Sequence, residues 1–215
     1  MWFIFQFLMR PIFSVCLRLR IRGAEKLPDS GGVLLLINHQ SFLDPFLVGL
    51  PLSRPVSYIA RDTLFLIPLV GWLLKRNYAI PINRESAGTA ILKDAVRRIR
   101  HGFVVGIFPE GTRSPDGSVG ALKPGFVAIV RRSGAPIFPV GIAGAREALP
   151  RNAWFLRPRR VCIVFGDPLN AEEIQRYTKR GQEQKLVALV RERIIACQQQ
   201  ADRWRSRSSL FNENL

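Results

Sequence analysis

The sequence is short of cysteine, short of acidic residues, and without any apolar run long enough to cross a bilayer cleanly. Its three cysteines, Cys16, Cys162 and Cys197, are scattered and odd in number. They make neither a complete disulfide framework nor a metal-type pair, and a reducing, cytoplasm-facing location suits them best. No interval of about 20–50 residues repeats, which excludes a solenoid or a propeller. No G-x-S-x-G elbow occurs, so the usual setting of a serine nucleophile is missing. What is present is apolar substance: 47% of 215 residues are hydrophobic. That excludes a disordered chain and fits one domain, since single cores grow to roughly 250–300 residues before splitting.

The 16 Asp plus Glu face 32 Lys plus Arg, leaving a net charge of +16. The excess is spread, at +4 over residues 1–24, +6 over 25–145 and +6 over 146–215. Local clusters stand at Arg157, Arg159 and Arg160 and at Arg203, Arg205 and Arg207. Of the basic residues, 26 are Arg, whose guanidinium fork binds phosphate bidentately. Nucleic acid, an anionic membrane and a phosphorylated substrate all suit such a surface, and composition does not choose among them.

The opening MWFIFQFLM is apolar and aromatic, Arg10-Pro11 interrupts it, and Ile12 to Leu17 leads into Arg18, Arg20 and Arg22. A spanning helix needs about 20 mostly apolar residues, which this stretch reaches only by swallowing Arg10. A signal peptide carries its positive charge before the apolar run, the reverse of this order. Aromatic residues followed by Arg suit a helix lying in an anionic bilayer surface. The expectation is therefore a membrane-associating segment over residues 1–21, with a single span and a plain packed terminal helix as the alternatives. A domain over 22–205 and a polar, fraying tail over 206–215 follow. The second apolar stretch, Leu64 to Leu74, is too short to span and contains Pro68 and Gly71. A surface-dipping segment and a core helix broken at the proline are both open for it.

Val33 to Ile37 is an unbroken apolar run after Gly31-Gly32, the pattern of a strand buried on both faces. Val56 to Ala60, Ala79 to Ile82, Phe103 to Phe108, Pro136 to Ile142 and Val161 to Phe165 are further strand candidates. Helical spacing predicts a helix capped by Ser86 and stopped by Gly102, another over Pro124 to Arg132 closed by Gly134, and a long one over Gln182 to Trp204. Strands alternating with helices imply an α/β domain with a largely parallel sheet flanked by helices.

In such sheets ligands collect beyond the carboxyl ends of the strands. NHQSFLDP, Asn38 to Pro45, follows the buried strand directly. His39 and Asp44 are five positions apart, about 140° around a continuous helix, so a turn must bring them together. Asp44 as helix N-cap with Pro45 behind it supplies that turn. The carboxylate can then fold back on the imidazole, fixing its tautomer and stabilising the imidazolium formed when His39 takes a proton, the alternative being an Asp44 that only caps and a His39 that only packs. With no nucleophile beside the pair, the pattern points to a general base acting on a substrate hydroxyl without a covalent enzyme intermediate. A second constellation, FPEGTRSPDG, Phe108 to Gly117, also ends a strand. Gly111 permits a tight turn, and Arg113 with backbone N–H groups suits a phosphate. Glu110 belongs near a phosphate only if it meets a hydroxyl or orients Arg113. YAIPINR places Arg84 as a second candidate phosphate contact, and Pro139 splits the strand of APIFPVGI.

In this order the four segments resemble the 1-acylglycerol-3-phosphate acyltransferase family of phospholipid synthesis. NHQSFLDP is similar to its H-x-x-x-x-D block, FPEGTRS to its phosphate-binding block, YAIPINR to its middle block and IFPV to its proline block. The flanks IRGAEKLP and LKPGFVAIV agree, and the likeness runs from about Arg22 to about Asp167. One departure is Asn83, where the family often has Asp. The resemblance implies the fold expected above and acyl transfer from acyl-CoA or acyl-carrier protein to the free sn-2 hydroxyl of 1-acylglycerol-3-phosphate, giving phosphatidic acid. His39 would be the base and Asp44 its orienting partner. Arg84, Glu110, Gly111, Thr112 and Arg113 would bind the glycerol phosphate, and Leu64, Phe65, Leu69 and Trp72 would meet the acyl chain or membrane. The chemistry needs no metal or bound cofactor. The enzyme would work at the cytoplasmic face of a membrane.

Three rivals remain. One is the same chemistry on another acceptor, a lyso-amino-lipid or a different lysophospholipid, which Asn83 favours. A second is a catalytically silent membrane-surface protein, against which the retention of both polar sets argues. The third, a nucleic-acid binder, lacks any known binding motif and any interleaving of aromatic with basic residues.

Overall fold

The run Val33–Ile37 forms β2, wholly buried, in the middle of a seven-stranded sheet. The computed structural model describes residues 2–76, 79–82, 88–153, 155–179 and 181–210. The other strands are β1 (Arg20–Arg22), β3 (Val56–Arg61), β4 (Ile80–Ile82), β5 (Val104–Ile107), β6 (Ile137–Ala143) and β7 (Cys162–Phe165). Their spatial order is β1-β7-β6-β2-β5-β3-β4. β2 pairs in parallel with β5 and β6, and β3 pairs in parallel with β5 and β4. β7 runs antiparallel to β6, and β1 follows β7.

Side chains alternate across a strand, so β2 feeds two cores. Val33, Leu35 and Ile37 join Phe13 and Leu17 of α1 (Trp2–Leu17) and Leu47 of α2 (Asp44–Gly49) on one face. Leu34 and Leu36 meet the other layer, made by α4 (Gly88–Arg100), α5 (Gly125–Ser133) and α8 (Glu183–Leu210). The remaining helices are α3 (Pro68–Arg76), α6 (Ala145–Ala148) and α7 (Ala171–Tyr177). The result is the expected α/β domain with helices on both faces of a mostly parallel sheet. The expected cap of α4, Ser86, lies outside the described residues.

Arg10-Pro11 interrupts the apolar run but not the helix, because α1 runs through Pro11. Proline weakens a helix interior, and tertiary contacts compensate here. Gln6 Nε2 donates to the carbonyls of Leu50 and Leu52 at 2.9 and 2.7 Å, Arg10 donates to Leu50, and Phe13 and Leu17 are buried. The outer side of α1 shows Phe3, Phe7, Leu8, Ile12 and Val15 to solvent. No described helix is long and apolar enough to cross a membrane. The Leu64–Leu74 stretch divides at its proline into a 3-10 turn over Asp62–Leu66 and then α3. A side chain at Gly71 would collide with the Phe65 carbonyl, so glycine lets the two pieces pack. Leu66 and Trp72 stay exposed, which makes this a surface element.

The strand directions give the domain two poles. The segments after β2, β3, β5 and β6 and those leading into β7 and β1 gather at one pole. The segments before β2, β3, β5 and β6 gather at the other.

Candidate active site

His39 stands two residues beyond β2 and its placement comes from three directions. Its Nδ1 lies 2.8 Å from Asp44 Oδ2. The same oxygen accepts the backbone N–H groups of Gln40 at 2.6 Å and Ser41 at 2.7 Å. Asp44 is fully buried, so its carboxylate is held by three donors in a place that excludes water. The predicted His39–Asp44 contact is present, but its supposed cause is not. Asp44 does not cap α2; it is the first helical residue, Leu43 precedes it as N-cap, and no side chain caps the helix. The Gln40 and Ser41 N–H groups are nearer than the helix amides and take the carboxylate instead.

The ring of His39 stacks on Phe108 at 4.2 Å between centroids, and Tyr58 stacks behind Phe108 at 5.8 Å. Gly106 makes that backing possible, since a Cβ there would lie 2.5 Å from the Tyr58 ring. An acid partner on Nδ1 holds the proton there and leaves Nε2 as the basic nitrogen. Asn38 ties the preceding residue to the neighbouring strand, donating to the Ile142 carbonyl at 3.0 Å and accepting its N–H at 2.7 Å.

The segment after β5 wraps the same histidine. Glu110 Oε1 accepts the His39 N–H at 2.8 Å, and Ser114 N–H donates to the His39 carbonyl at 2.7 Å. Glu110 Oε2 accepts Gly120 N–H at 3.0 Å. This differs from the expected phosphate or hydroxyl contact: both carboxylate oxygens of buried Glu110 hold backbone. Burial raises the Glu110 carboxyl above its ordinary value of 4.5, while its N–H partners pull it back.

Gly111 turns with φ +70°, beyond the ordinary reach of a residue with a Cβ. A Cβ there would lie 2.9 Å from Lys123 Nζ, so the ammonium group sits over the turn. Thr112 is exposed, and the Arg113 guanidinium lies over the Phe42 ring at 3.6 Å. Gly111, Arg113 and Lys123 thus put a turn and two cations together near His39, an arrangement suited to an anion. Lys123 was not singled out in the sequence; its only signal was the LKPG flank. Arg84 lies outside the described residues, as does the Leu69 side chain. Leu64 and Phe65 are half-buried, and Trp72 is exposed.

The long loop is braced from α8. Gln198 and Gln40 both donate to the Gly117 carbonyl, and Arg191 donates to those of Val119 and Gly120. Asp116 accepts from Ser118 N–H and from the Ser118 and Ser114 hydroxyls, which hold its carboxyl down at about 2. Among the described residues no group of three or more His, Cys, Asp or Glu side chains is placed to hold a metal ion.

Comparison with known proteins points to one family. A family model described as Acyltransferase matches residues 18–143. A chloroplastic 1-acyl-sn-glycerol-3-phosphate acyltransferase of Brassica napus is 34% identical over 136 residues, 62% of this chain and 39% of that protein. The chain thus spans less than half the length of this plant relative. A 1-acyl-sn-glycerol-3-phosphate acyltransferase of Bacillus subtilis is 24% identical over 195 residues, 90% of this chain and 95% of that protein. The crystal structure of the 1-acyl-sn-glycerophosphate acyltransferase of Thermotoga maritima has the same fold, with a TM-score of 0.78 at 24% identity. The match covers 94% of this chain and 79% of that one.

Proposed function

The chain belongs to the acyltransferase family, and from that premise we propose that it transfers a fatty acyl group from acyl-CoA or acyl-carrier protein to the sn-2 hydroxyl of 1-acylglycerol-3-phosphate. The observation that carries the reading is the buried Asp44 carboxylate on His39 Nδ1, with a cationic turn close by. His39 Nε2 takes the hydroxyl proton as the oxygen attacks the thioester carbonyl. Asp44 steadies the imidazolium. The tetrahedral intermediate collapses with loss of the thiolate, which recovers the proton from His39, so phosphatidic acid and a free thiol leave together. Arg113 and Lys123 hold the acceptor's phosphate, with Arg84 and Thr112 as further contacts. Glu110 acts through the main chain of His39.

In this reading residues 1–21 associate with the membrane ahead of an acyltransferase domain over 22–205. The exposed residues of α1 and α3 lie against lipid, at the cytoplasmic face. The test is thiol release from a long-chain acyl-CoA, with lysophosphatidic acid and with lysolipids bearing other head groups as acceptors. Release that depends on lysophosphatidic acid and disappears in His39→Ala supports the reading. Release only with another acceptor replaces the acceptor. No release with either acyl-CoA or acyl-carrier protein overturns acyl transfer.

A further inference from the structure

Resting on the reading of this chain as an enzyme of membrane lipids, we infer that the loop Pro150–Arg160 is a further bilayer contact, with Phe155 entering the interface and Arg151, Arg157 and Arg159 meeting anionic head groups. The loop leads into β7, whose Cys162 pairs with Ala143 at the carboxyl end of β6. It therefore belongs to the pole that carries His39.

Its described residues are tied to the fold. Ala153 N–H donates to the Pro150 carbonyl at 3.1 Å, Arg157 N–H to Ala148 at 2.8 Å and Val161 N–H to Leu17 at 2.9 Å. Leu156 packs against the core while its neighbour Phe155 is 83% exposed. The loop thus has one apolar anchor turned inward and one held out in water. The arginines divide in the same way. Arg160 turns in and donates to the Arg205 carbonyl, and Arg205 pairs with Glu147 at 2.7 Å. Arg151, Arg157 and Arg159 are exposed, and their side chains form no hydrogen bond or salt bridge among the described residues.

The partner's shape follows from the strand order. Leu66 and Trp72 follow β3, and Phe155 precedes β7, on opposite sides of β2. Four strand spacings separate β3 from β7, about 19 Å. A bilayer surface covers both tips at once, and anionic lipid complements the arginines.

The test is co-sedimentation of the full chain with phosphatidylcholine vesicles, with and without phosphatidylglycerol, beside thermal melting of each variant. Phe155→Ser should lower partitioning roughly tenfold or more on both vesicles, as expected for withdrawing a buried phenyl ring. Arg157→Ala with Arg159→Ala should lower it roughly tenfold only where phosphatidylglycerol is present. Turnover of a short-chain, water-soluble acceptor should be unchanged in both. Variants that melt and partition like the wild type overturn the loop contact, even if α1 still binds lipid. A wild type that ignores both vesicles overturns the membrane reading itself. Unchanged partitioning with turnover lost only for acyl-carrier protein as donor makes the loop a carrier-docking surface, which also overturns the inference. If Phe155→Ser melts early, Phe155→Tyr, which keeps the ring, should restore partitioning.

Discussion

The two poles of the sheet both carry positive charge and set it in different surroundings. At the pole of His39, Arg113 and Lys123 flank a turn, and Phe42, Leu66, Ile67, Trp72 and Phe155 protrude among the arginines. At the other pole Arg97, Arg100, Arg131 and Arg132 gather beside His101, and the exposed Phe3 and Phe7 there belong to α1, whose Gln6 bonds the loop before β3. Its cations are largely spent on the protein. Arg54 donates to the carbonyls of Pro28, Gly31 and Gly102, Arg100 to that of Arg132, and Arg131 pairs with Glu183. Positive charge therefore does not single out one pole; the buried His–Asp pair does.

The histidines give the sharpest way to break this contrast. His39→Ala should lose roughly 10²–10⁴-fold in turnover with its melting temperature retained. His101→Ala, at the far pole with its ring on the Arg97 carbonyl, should leave turnover unchanged. Equal losses would mean that the poles are not functionally distinct. Next in size, Glu110→Gln should cost up to about 100-fold in kcat, the scale of a small misplacement of a catalytic group. An amide can accept only one of the two N–H groups that the carboxylate now holds. A variant with normal kcat would show that His39 needs no such brace.

Arg113→Ala and Lys123→Ala should each raise KM for the phosphorylated acceptor about tenfold or somewhat more, as lost hydrogen bonds to a charged group do. Arg54→Ala should instead lower the melting temperature and leave KM alone. Kinetic titration of each variant, beside its melting curve, separates the two roles. The smallest effect is one of pH. Because burial raises the Glu110 carboxyl, the folded chain takes up this proton at higher pH than the unfolded chain. Its stability relative to Glu110→Gln should then rise as pH falls through that raised value toward 4.5. Melting temperatures of the two proteins across that range check the sign, and a wild type that loses ground instead would reverse it.

Much of this was legible in the sequence because apolar pattern and burial coincide. β2, β5, β6 and β7 follow their predicted runs, α5 ends at the predicted Gly134 in a left-handed conformation, and α8 begins within a residue of its expected start. The short strand Arg20–Arg22 escaped notice, since an edge strand of alternating charge has no apolar run. The capping box of α7, Asn170 with Glu173, also went unread although its signal was local. At the site, the residue types and the His39–Asp44 contact could be read, but their bonding could not. Asp44 serves loop amides where a helix cap was expected, and Glu110 serves a main chain 71 positions away. Such long-range hydrogen bonds leave no periodicity.

The bracing of the loop by α8 bears on how the protein becomes active during synthesis. Gly141 brings strand and helix so close that a Cβ there would lie 2.1 Å from the Gln198 nitrogen, and Gln198 in turn holds the Gly117 carbonyl. Every residue assigned to the chemistry is translated well before position 198. A nascent chain that already contains His39, Asp44, Glu110 and Arg113 still lacks the brace for the segment beside them. Domains fold as units as the chain emerges, and here the loop beside His39 gains its last supports only after residue 198 has been made.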